Sequence, residues 1–334
     1  MFLSGLCAFM LGFLPLSWGV HTWKSYPRGS WDFELQTRYE QATANYLSQG
    51  NFFQALPSGQ SYKLITVDAG TRYHFARWAL FGEAQLASAE SRNLTETRVN
   101  SGFSQAILGA DYLLYQGRFA IIPEVAVTYP FVRNSISSDA VSLNEGAIEG
   151  SSRLIFLARF WRIRWATFLG FTYRDGGRSS LLPYGLFGEF QFRHFVLGNE
   201  LRAYQSVSYD QDTNADQARK DWATRVNAGS QKFYSVNPSG AHNTTWARFV
   251  VDRSLWMQVG AGMTLNGSNS GAGWNVFLGV LYRERPKVPV ATSDVDRFQI
   301  ETNEVDQDFF EPTTQTPFSP LHQPLQNDQK PNRP

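Results

Sequence analysis

The chain has 334 residues, and its 30 Lys and Arg residues nearly balance its 29 Asp and Glu residues. The formal net charge of +1 excludes a nucleic-acid binder that relies on electrostatic attraction alone. A mean hydropathy of −0.32 excludes a bundle of transmembrane helices, whereas the 15% of aromatic residues and the low charged fraction of 18% favour a large all-β fold.

Residues 1–19 form an apolar core that ends in small residues at Ser17 and Gly19. This layout predicts a secretory signal peptide cleaved between Gly19 and Val20, although no Lys or Arg precedes the apolar core. An uncleaved N-terminal anchor is the alternative. Cleavage removes Cys7, the single cysteine, so the mature chain needs no disulfide in an oxidising compartment. Residues 20–28 are predicted to be a short periplasmic segment.

Alternation with a period of two begins after this segment. Trp31, Phe33 and Leu35 alternate with Asp32 and Glu34, which is typical of a strand with one apolar and one charged face. In a soluble sandwich the apolar face meets a core, whereas in a membrane barrel it meets lipid and the charged face lines a lumen. One strand does not decide between the two, but the complete set does.

Twelve such strands are predicted, with boundaries expected to be correct to a few residues. Most reach about 10 residues or more, the length that a tilted strand needs to cross a bilayer. Very short turns alternate with longer connections, among them 47–59, 132–148 and 210–243. We therefore predict an all-β fold, a closed up-and-down antiparallel transmembrane β-barrel of about twelve strands over residues 29–283. The predicted strands are 29–46, 60–75, 77–90, 101–115, 118–131, 149–161, 163–174, 182–193, 195–209, 244–252, 254–266 and 271–283.

The lipid-facing side of this barrel is predicted to be apolar, with aromatic residues near the strand ends as in interfacial girdles. Asn199 is an exception, because its place in the alternation puts a polar side chain on the lipid-facing side. Inward-facing positions carry charged residues and, in places, glycine.

The region from Trp31 to Arg283 resembles bacterial outer-membrane β-barrel proteins of the porin-like class. Its last strand, Phe277 to Tyr282, is similar to the aromatic-rich signal that the barrel-assembly machinery reads, although in most members of the class that strand ends the chain. The resemblance implies the outer membrane of a Gram-negative bacterium, contacts with outer-membrane lipid and lipopolysaccharide, and N- and C-termini in the periplasm. No subfamily is identified.

Residues 284–334 differ in composition from the barrel, with eight of the 15 prolines and no glycine. A Pro- and Gln-rich composition of this kind cannot bury a core and predicts a disordered periplasmic tail. An alternative for residues 305–311, where Phe309 and Phe310 lie among acids, is a docking motif for a periplasmic partner.

Inward-facing charged residues are the main functional signal. Acids concentrate on the first five predicted strands and arginines on strands six to nine, which predicts one acidic lumen wall and one basic wall. If the walls pair across the lumen, the barrel is plugged and acts as a structural anchor or interaction protein through its loops and tail. If they stand apart, they favour a narrow channel for small hydrophilic solutes, which is our prediction. Glu40 also faces inward, and the predicted pore-lining residues are Asp32, Glu34, Arg38, Asp68, Arg72, Glu83, Asp111, Glu124, Arg153, Arg159, Arg164, Arg174, Glu189, Arg193, Glu200, Arg202 and Arg248.

The long connection at 210–243 contains a second candidate site, for a metal ion. Its oxygen-bearing side chains stand at the spacing of the ligands in a calcium loop. The sixth position lacks glycine and the twelfth is Asp rather than Glu, so the prediction is a solvated surface loop without metal. The candidate ligands are Asp210, Asp212, Asn214, Asp216 and Asp221.

A rim hydrolase is a further alternative. His242 precedes the tenth predicted strand, and Asp210 and Asp212 follow the neighbouring ninth, so an Asp-oriented His could act as a general base. The residues after His242 do not reproduce the Ser-Asn-Gly continuation of outer-membrane phospholipase. We therefore predict that the protein is not an enzyme, needs no cofactor and has no nucleic-acid partner.

Overall fold

The computed structural model describes residues 29–47, 53–252 and 254–284. The predicted signal peptide, the periplasmic segment 20–28 and the tail beyond Glu284 lie outside the described residues. The described residues form strands and short helical segments in this order: β1 (Ser30–Tyr46), β2 (Phe53–Ala55), β3 (Ser61–His74), β4 (Trp78–Arg92), β5 (Thr97–Tyr112), β6 (Tyr115–Gln116), β7 (Phe119–Pro130), β8 (Glu149–Phe160), β9 (Ile163–Arg174), β10 (Leu181–Gln191), β11 (Phe195–Ser206), a 3-10 turn (Thr213–Ala215), α1 (Asp216–Val226), β12 (Ser239–Val250), β13 (Leu255–Ser268) and β14 (Ser270–Glu284).

The twelve long strands form one closed antiparallel barrel. Each pairs with the next along the chain, and β14 pairs with β1 from Trp31 opposite Glu284 to Tyr46 opposite Ser270. A bulge between Ala42 and Ala44 interrupts this seam. The short strands β2 and β6 pair only with β1 and β7. Because closure leaves no long strand with an unpaired edge, every strand can satisfy its backbone polar groups inside a bilayer. The predicted barrel of twelve strands is confirmed.

The two ends of the barrel differ in their connections. Tight turns at 75–77, 161–162 and 192–194 lie at one end, which we call the short-turn end. Long connections at 131–148 and 207–238 lie at the other end, which we call the long-loop end, and we name them the first and second inner loop. This segregation of connections matches the sequence prediction and is typical of outer-membrane barrels.

Several strand boundaries at the long-loop end differ from the prediction, most clearly in three places. Strand β5 begins at Thr97 rather than 101, and β12 begins at Ser239 rather than 244. Polar residues extend both strands because their backbones continue the ladders of their neighbours, which composition does not reveal. The predicted connection 267–270 shrinks to Asn269, whose φ of 46° permits the sharp turn.

The exterior of the barrel is apolar, and most of the charged side chains on the long strands point inward, the reverse of a soluble fold. Leu108 on β5 and Val125 on β7 point outward and are 71% and 57% exposed. Glu124, which precedes Val125 on β7, points inward and is buried. Outward aromatic residues pair near the short-turn end, where the ring centroids of Trp78 and Tyr112 lie 4.6 Å apart. The alternation follows the requirement that lipid-facing and lumen-facing side chains take turns along a membrane strand. Among the described residues, no helix has the length and apolarity needed to cross a membrane.

Asn199 faces outward, as its place in the alternation predicts. Its amide donates to Asn243 Oδ1 at 2.6 Å and to Thr245 Oγ1 at 2.8 Å on the adjacent β12. The Asn243 amide donates in return to Asn199 Oδ1 at 2.6 Å. This cross-strand cluster supplies hydrogen-bond partners that lipid cannot, which lowers the cost of polar groups on this face.

Candidate functional site

The lumen near the short-turn end is filled by an apolar cluster. Phe168, Phe187, Trp246 and Phe277 point inward from four strands and are buried together with smaller residues of β4, β7 and β8. The rings of Phe187 and Trp246 pack with centroids 5.4 Å apart. The sequence analysis assigned the lumen to charged residues and missed this cluster. The alternation along each strand could have revealed the cluster. These four residues occupy alternate positions of the same inward-facing set (the inward parity) as the charged residues.

Charged residues of the acidic wall are paired with neighbours on the same side of the barrel. Arg72 on β3 forms an ion pair with Asp111 on β5, with Nη1 2.6 Å from Oδ2, and both side chains are fully buried. At the β1–β14 seam, the Asp32 carboxylate accepts hydrogen bonds from Arg283 at 2.6 and 3.0 Å and lies 2.9 Å from His74 Nε2. The sequence analysis did not select Arg283, although it has the same inward parity on the last strand.

The basic wall is also paired locally. Arg164 on β9 forms an ion pair with Glu189 on β10, and Arg248 Nη2 lies 3.6 Å from the same carboxylate. Arg202 pairs with Glu200 on its own strand at 2.8 Å.

One pair joins the two walls where they meet. Arg153 Nη1 on β8 lies 3.8 Å from Glu124 Oε1 on β7, and the two residues are directly opposite in the strand register. The predicted walls therefore do not form two opposed unpaired surfaces. Most of the predicted lumen charges are neutralised along the barrel wall instead of across its axis, because cross-strand neighbours are the nearest partners.

The remaining predicted pore-lining residues occupy varied positions. Glu34 is half-buried, and Arg38 lies 3.7 Å from Glu40 on its own strand. Arg174 lies near the long-loop end, where it donates to Ser179.

Two predicted pore-lining arginines lie at the short-turn end and are exposed. Arg193 falls in the turn after β10 and is exposed, because β10 ends at Gln191 rather than 193. Arg159 has inward parity but lies one residue from the end of β8, and it is also exposed. These two arginines therefore lie at the rim of the barrel, and their role in lining a pore stays a prediction.

The first inner loop folds down into the lumen. Val141 and Leu143 are buried against Leu64 and other inward residues of β3 and β4. The Tyr62 hydroxyl donates to the Ser142 carbonyl at 2.6 Å, and the Asn144 amide donates to the Ser104 carbonyl. This packing favours the folded-in position of the loop, since the alternative leaves its apolar side chains in water.

The second inner loop contains helix α1, which the sequence analysis did not predict. Arg219 on this helix is buried and forms a bidentate pair with Asp210 at 2.8 and 2.9 Å. The same guanidinium donates to Asp212 at 2.6 and 2.9 Å. Its carbon centre also lies 4.3 Å from the ring centroid of Tyr234, as does that of Arg178 from the neighbouring connection. Burial lowers the pKa of the Arg178 guanidinium, and the nearby Glu145 carboxylate opposes this effect.

The calcium-like spacing does not assemble a metal site. Asp210 and Asp212 bind Arg219, Asp216 pairs with Lys220, and Asp221 accepts from Gln217 one helical turn away. In the described part of the chain, no group of three or more His, Cys, Asp or Glu residues could hold a metal ion. Helix α1 explains the outcome, because it directs the last candidates along a helix instead of around an ion.

The His242 constellation is not formed either. The structure places His242 within β12 rather than before it, buried with its ring stacked on Tyr204 at 5.5 Å between centroids. The carboxylates of Asp210 and Asp212 are bound by Arg219. The hypothesis of an Asp-oriented His at the rim is therefore corrected.

The two inner loops are joined to each other and to β1. The Asn227 amide donates to Ser142 Oγ at 3.0 Å, and its carbonyl oxygen accepts from the Ser142 backbone at 3.1 Å. The Asn45 amide donates to the Gly229 carbonyl at 2.7 Å. Lys232 forms a buried ion pair with Glu40 on the barrel wall. Together these contacts close the lumen at the long-loop end.

A polar cavity of about 70 Å³ lies beneath the inner loops. Strand residues Arg38, Glu40, Asp68, Glu83 and Glu149 line it, and parts of both inner loops, including Lys232 and Glu145, complete its wall. Glu149 was not among the predicted lumen residues, although it shares the inward parity of Arg153 on β8.

Comparison with known proteins bears on the fold. The sequence matches no protein-family model and no curated protein. The structure is similar to an outer membrane channel from Pseudomonas putida F1, with a TM-score of 0.56 and 12% identity over 78% of this chain and 98% of that chain. The NanC porin aligns with a TM-score of 0.47 and 6% identity, and the KdgM porin with 0.40 and 12%, each over 75% of this chain and 98% of theirs.

The closed sheet, the apolar exterior and the charged interior define a transmembrane β-barrel of the outer-membrane type. The likeness to the Pseudomonas putida F1 channel, at 12% identity, supports this assignment at the level of fold. The resemblance to outer-membrane β-barrel proteins that the sequence indicated is therefore confirmed, with no subfamily assigned.

Proposed function

We propose that the protein is an outer-membrane channel for small hydrophilic solutes, and that the described conformation is its closed state. The observation that carries this proposal is the polar cavity inside the closed barrel, capped by two inner loops. A purely structural barrel has no need to keep buried carboxylates around a cavity, since a packed apolar interior is at least as stable. The names of three similar structures, a channel and two porins, agree with the proposal.

The inner loops have the properties of a gate. The two loops are linked to each other by hydrogen bonds such as those between Asn227 and Ser142, each contributing about 0.5–1.5 kcal/mol, and by the packing of Phe233 on Val141 and Leu143. Helix α1 and the first inner loop fold onto the barrel instead of forming part of its sheet. Loops of this kind can move while the barrel keeps its backbone hydrogen bonds, because local opening does not require strand separation.

The orientation that fits this role places the short-turn end in the periplasm. Both described chain ends, near Ser30 and Glu284, lie at that end. A periplasmic tail and assembly by the barrel machinery then follow, and the long-loop end meets lipopolysaccharide. The proposed activity is transport and not catalysis.

A plugged structural barrel is the second candidate. The apolar cluster around Trp246 and Phe277 favours it, because this cluster fills the lumen near the short-turn end. In a channel the same cluster acts as a hydrophobic constriction that wets when the barrel opens.

Planar-bilayer recording separates the two candidates. We compare the wild-type protein with a variant in which residues 213–236 of the second inner loop are replaced by a short Gly-Ser linker. The channel proposal expects intermittent steps from the wild type and steady steps from the shortened variant. Heat-modifiable electrophoretic mobility establishes that both barrels are folded. Folded barrels that show no steps in either form contradict the channel and support the plugged barrel.

A further inference from the structure

We infer that the cavity beneath the inner loops is a binding site for a small organic ammonium ion, which makes cationic amines the preferred solute class of the barrel. The inference deepens the proposed function and rests on it for the role in transport. Its structural basis is the charge of the cavity wall, one buried carboxylate oxygen that receives no hydrogen bond from the described residues, and the size of the cavity.

The cavity wall carries more acids than bases. Five carboxylates, those of Glu40, Asp68, Glu83, Glu145 and Glu149, line it together with two cationic side chains, Arg38 and Lys232. Both cations lie next to Glu40, Lys232 in a buried ion pair and Arg38 at 3.7 Å.

Glu145 is neutralised from outside the cavity. It binds Arg178 at 3.0 Å and lies 3.6 Å from Arg174. With Arg174 and Arg178 counted, five carboxylates face four cations, so the site carries one net negative charge, and the direct ion pairs of these cations are to Glu40 and Glu145. The hydrogen bonds to the Asp68 carboxylate come from the neutral side chains of Gln85, at 2.7 Å, and Thr66.

The surroundings of Glu149 indicate that a ligand binds there. It is 91% buried, and no described residue donates a hydrogen bond to its Oε1. Its cross-strand neighbour Arg174 instead donates to Ser179 and approaches Glu145. A buried carboxylate oxygen without a donor is costly, and a bound ammonium group supplies both the hydrogen bond and the compensating charge.

The chemistry of the wall favours an organic ammonium over a coordinated metal ion. No group of described His, Cys, Asp and Glu residues is arranged to hold a metal. Neutral acceptors from Gln85, Gln105 and Thr128 surround the carboxylates, which suits an ammonium group with three donors. A cavity of about 70 Å³ accommodates a molecule of a few heavy atoms.

Calorimetric titration of the refolded full chain in detergent tests the site without relying on conduction. The probe is methylammonium chloride, with potassium chloride adjusted to constant ionic strength. We expect saturable binding by the wild type and affinity weakened about tenfold or more in Glu149→Gln and in Asp68→Asn, the scale of one hydrogen bond to a charged group. Glu90→Gln is the matched control, because Glu90 is exposed, pairs with Lys63 and does not line the cavity.

The outcomes separate this inference from the proposed channel. Absence of methylammonium binding to the folded wild type, or equal affinity in the wild type and both lumen variants, overturns the inference. If one lumen variant lacks heat-modifiable mobility, its barrel is not folded, and the affinity of the other lumen variant is compared with the wild type instead. Conductance without methylammonium binding refutes only the ammonium site, whereas binding to a barrel that never conducts refutes the channel and leaves the binding site.

Discussion

The ion pair between Arg72 and Asp111 should be a principal determinant of barrel stability. Its two side chains are fully buried, the nitrogen-to-oxygen distance is 2.6 Å, and the guanidinium lies 4.8 Å from the ring centroid of Phe81. Replacing Arg72 by Met keeps the aliphatic volume but leaves a buried carboxylate without its cation. Removal of one partner from a buried pair costs about 3–5 kcal/mol, so we expect Arg72→Met to lower the free energy of unfolding by that amount.

Urea unfolding of the protein in lipid vesicles, followed by tryptophan fluorescence, measures this loss. The double variant Arg72→Met/Asp111→Asn should recover most of it, because neither charge of the pair remains. Arg98→Met is the matched control, since Arg98 pairs with the half-exposed Glu96 and such pairs contribute about 1 kcal/mol or less. A loss in Arg72→Met no larger than in the control, or a double variant as unstable as the single one, would refute the reasoning.

Two further predictions concern the lumen packing and the second inner loop. Gly198→Ala should destabilise the barrel by about 1–3 kcal/mol in the same urea assay, because a Cβ there would lie 2.6 Å from Trp246 Nε1. Gly188→Ala is the control and should not destabilise it, because the space at that position is open. Equal unfolding midpoints in the two variants would count against the packing of the apolar cluster. Arg219→Gln should leave the Asp210 carboxylate without its cation and accelerate proteolytic cleavage within residues 207–238, which mass spectrometry measures. Cleavage at the wild-type rate would argue that the Arg219–Asp210 ion pair does not hold the second inner loop in place.

The strands were predictable because each must satisfy two simple constraints. A membrane strand alternates lipid-facing and lumen-facing side chains, and it must be long enough to cross the bilayer. Trp31 to Tyr39 shows both signals without any knowledge of neighbours. Helix α1 gives a weaker signal, because its apolar stripe of Trp222, Ala223 and Val226 is short and charged residues dominate its first turns. Its burial depends on Asp210 and Tyr234, which tertiary structure brings to it.

The lumen was only partly predictable for a related reason. Parity assigns a residue to the inner face but does not give its height in the barrel or its cross-strand partner. Glu124 is opposite Arg153 and Glu189 is opposite Arg164 in the register, so local pairing became apparent only once the strands were aligned. The position of the inner loops inside the barrel could not be predicted from the sequence, because the packing of Leu143 on β3 and β4 involves residues distant in sequence.

A reversible lock on the two inner loops tests the account most directly. Ser142 and Asn227 are hydrogen-bonded across the loops, and Ser142→Cys/Asn227→Cys introduces a cysteine pair into a chain whose single cysteine, Cys7, lies in the predicted signal peptide. In planar bilayers, the account predicts that the oxidised variant shows no conductance steps and that reduction of the disulfide produces them. Steps of equal size and frequency before and after reduction would contradict a gate formed by the inner loops.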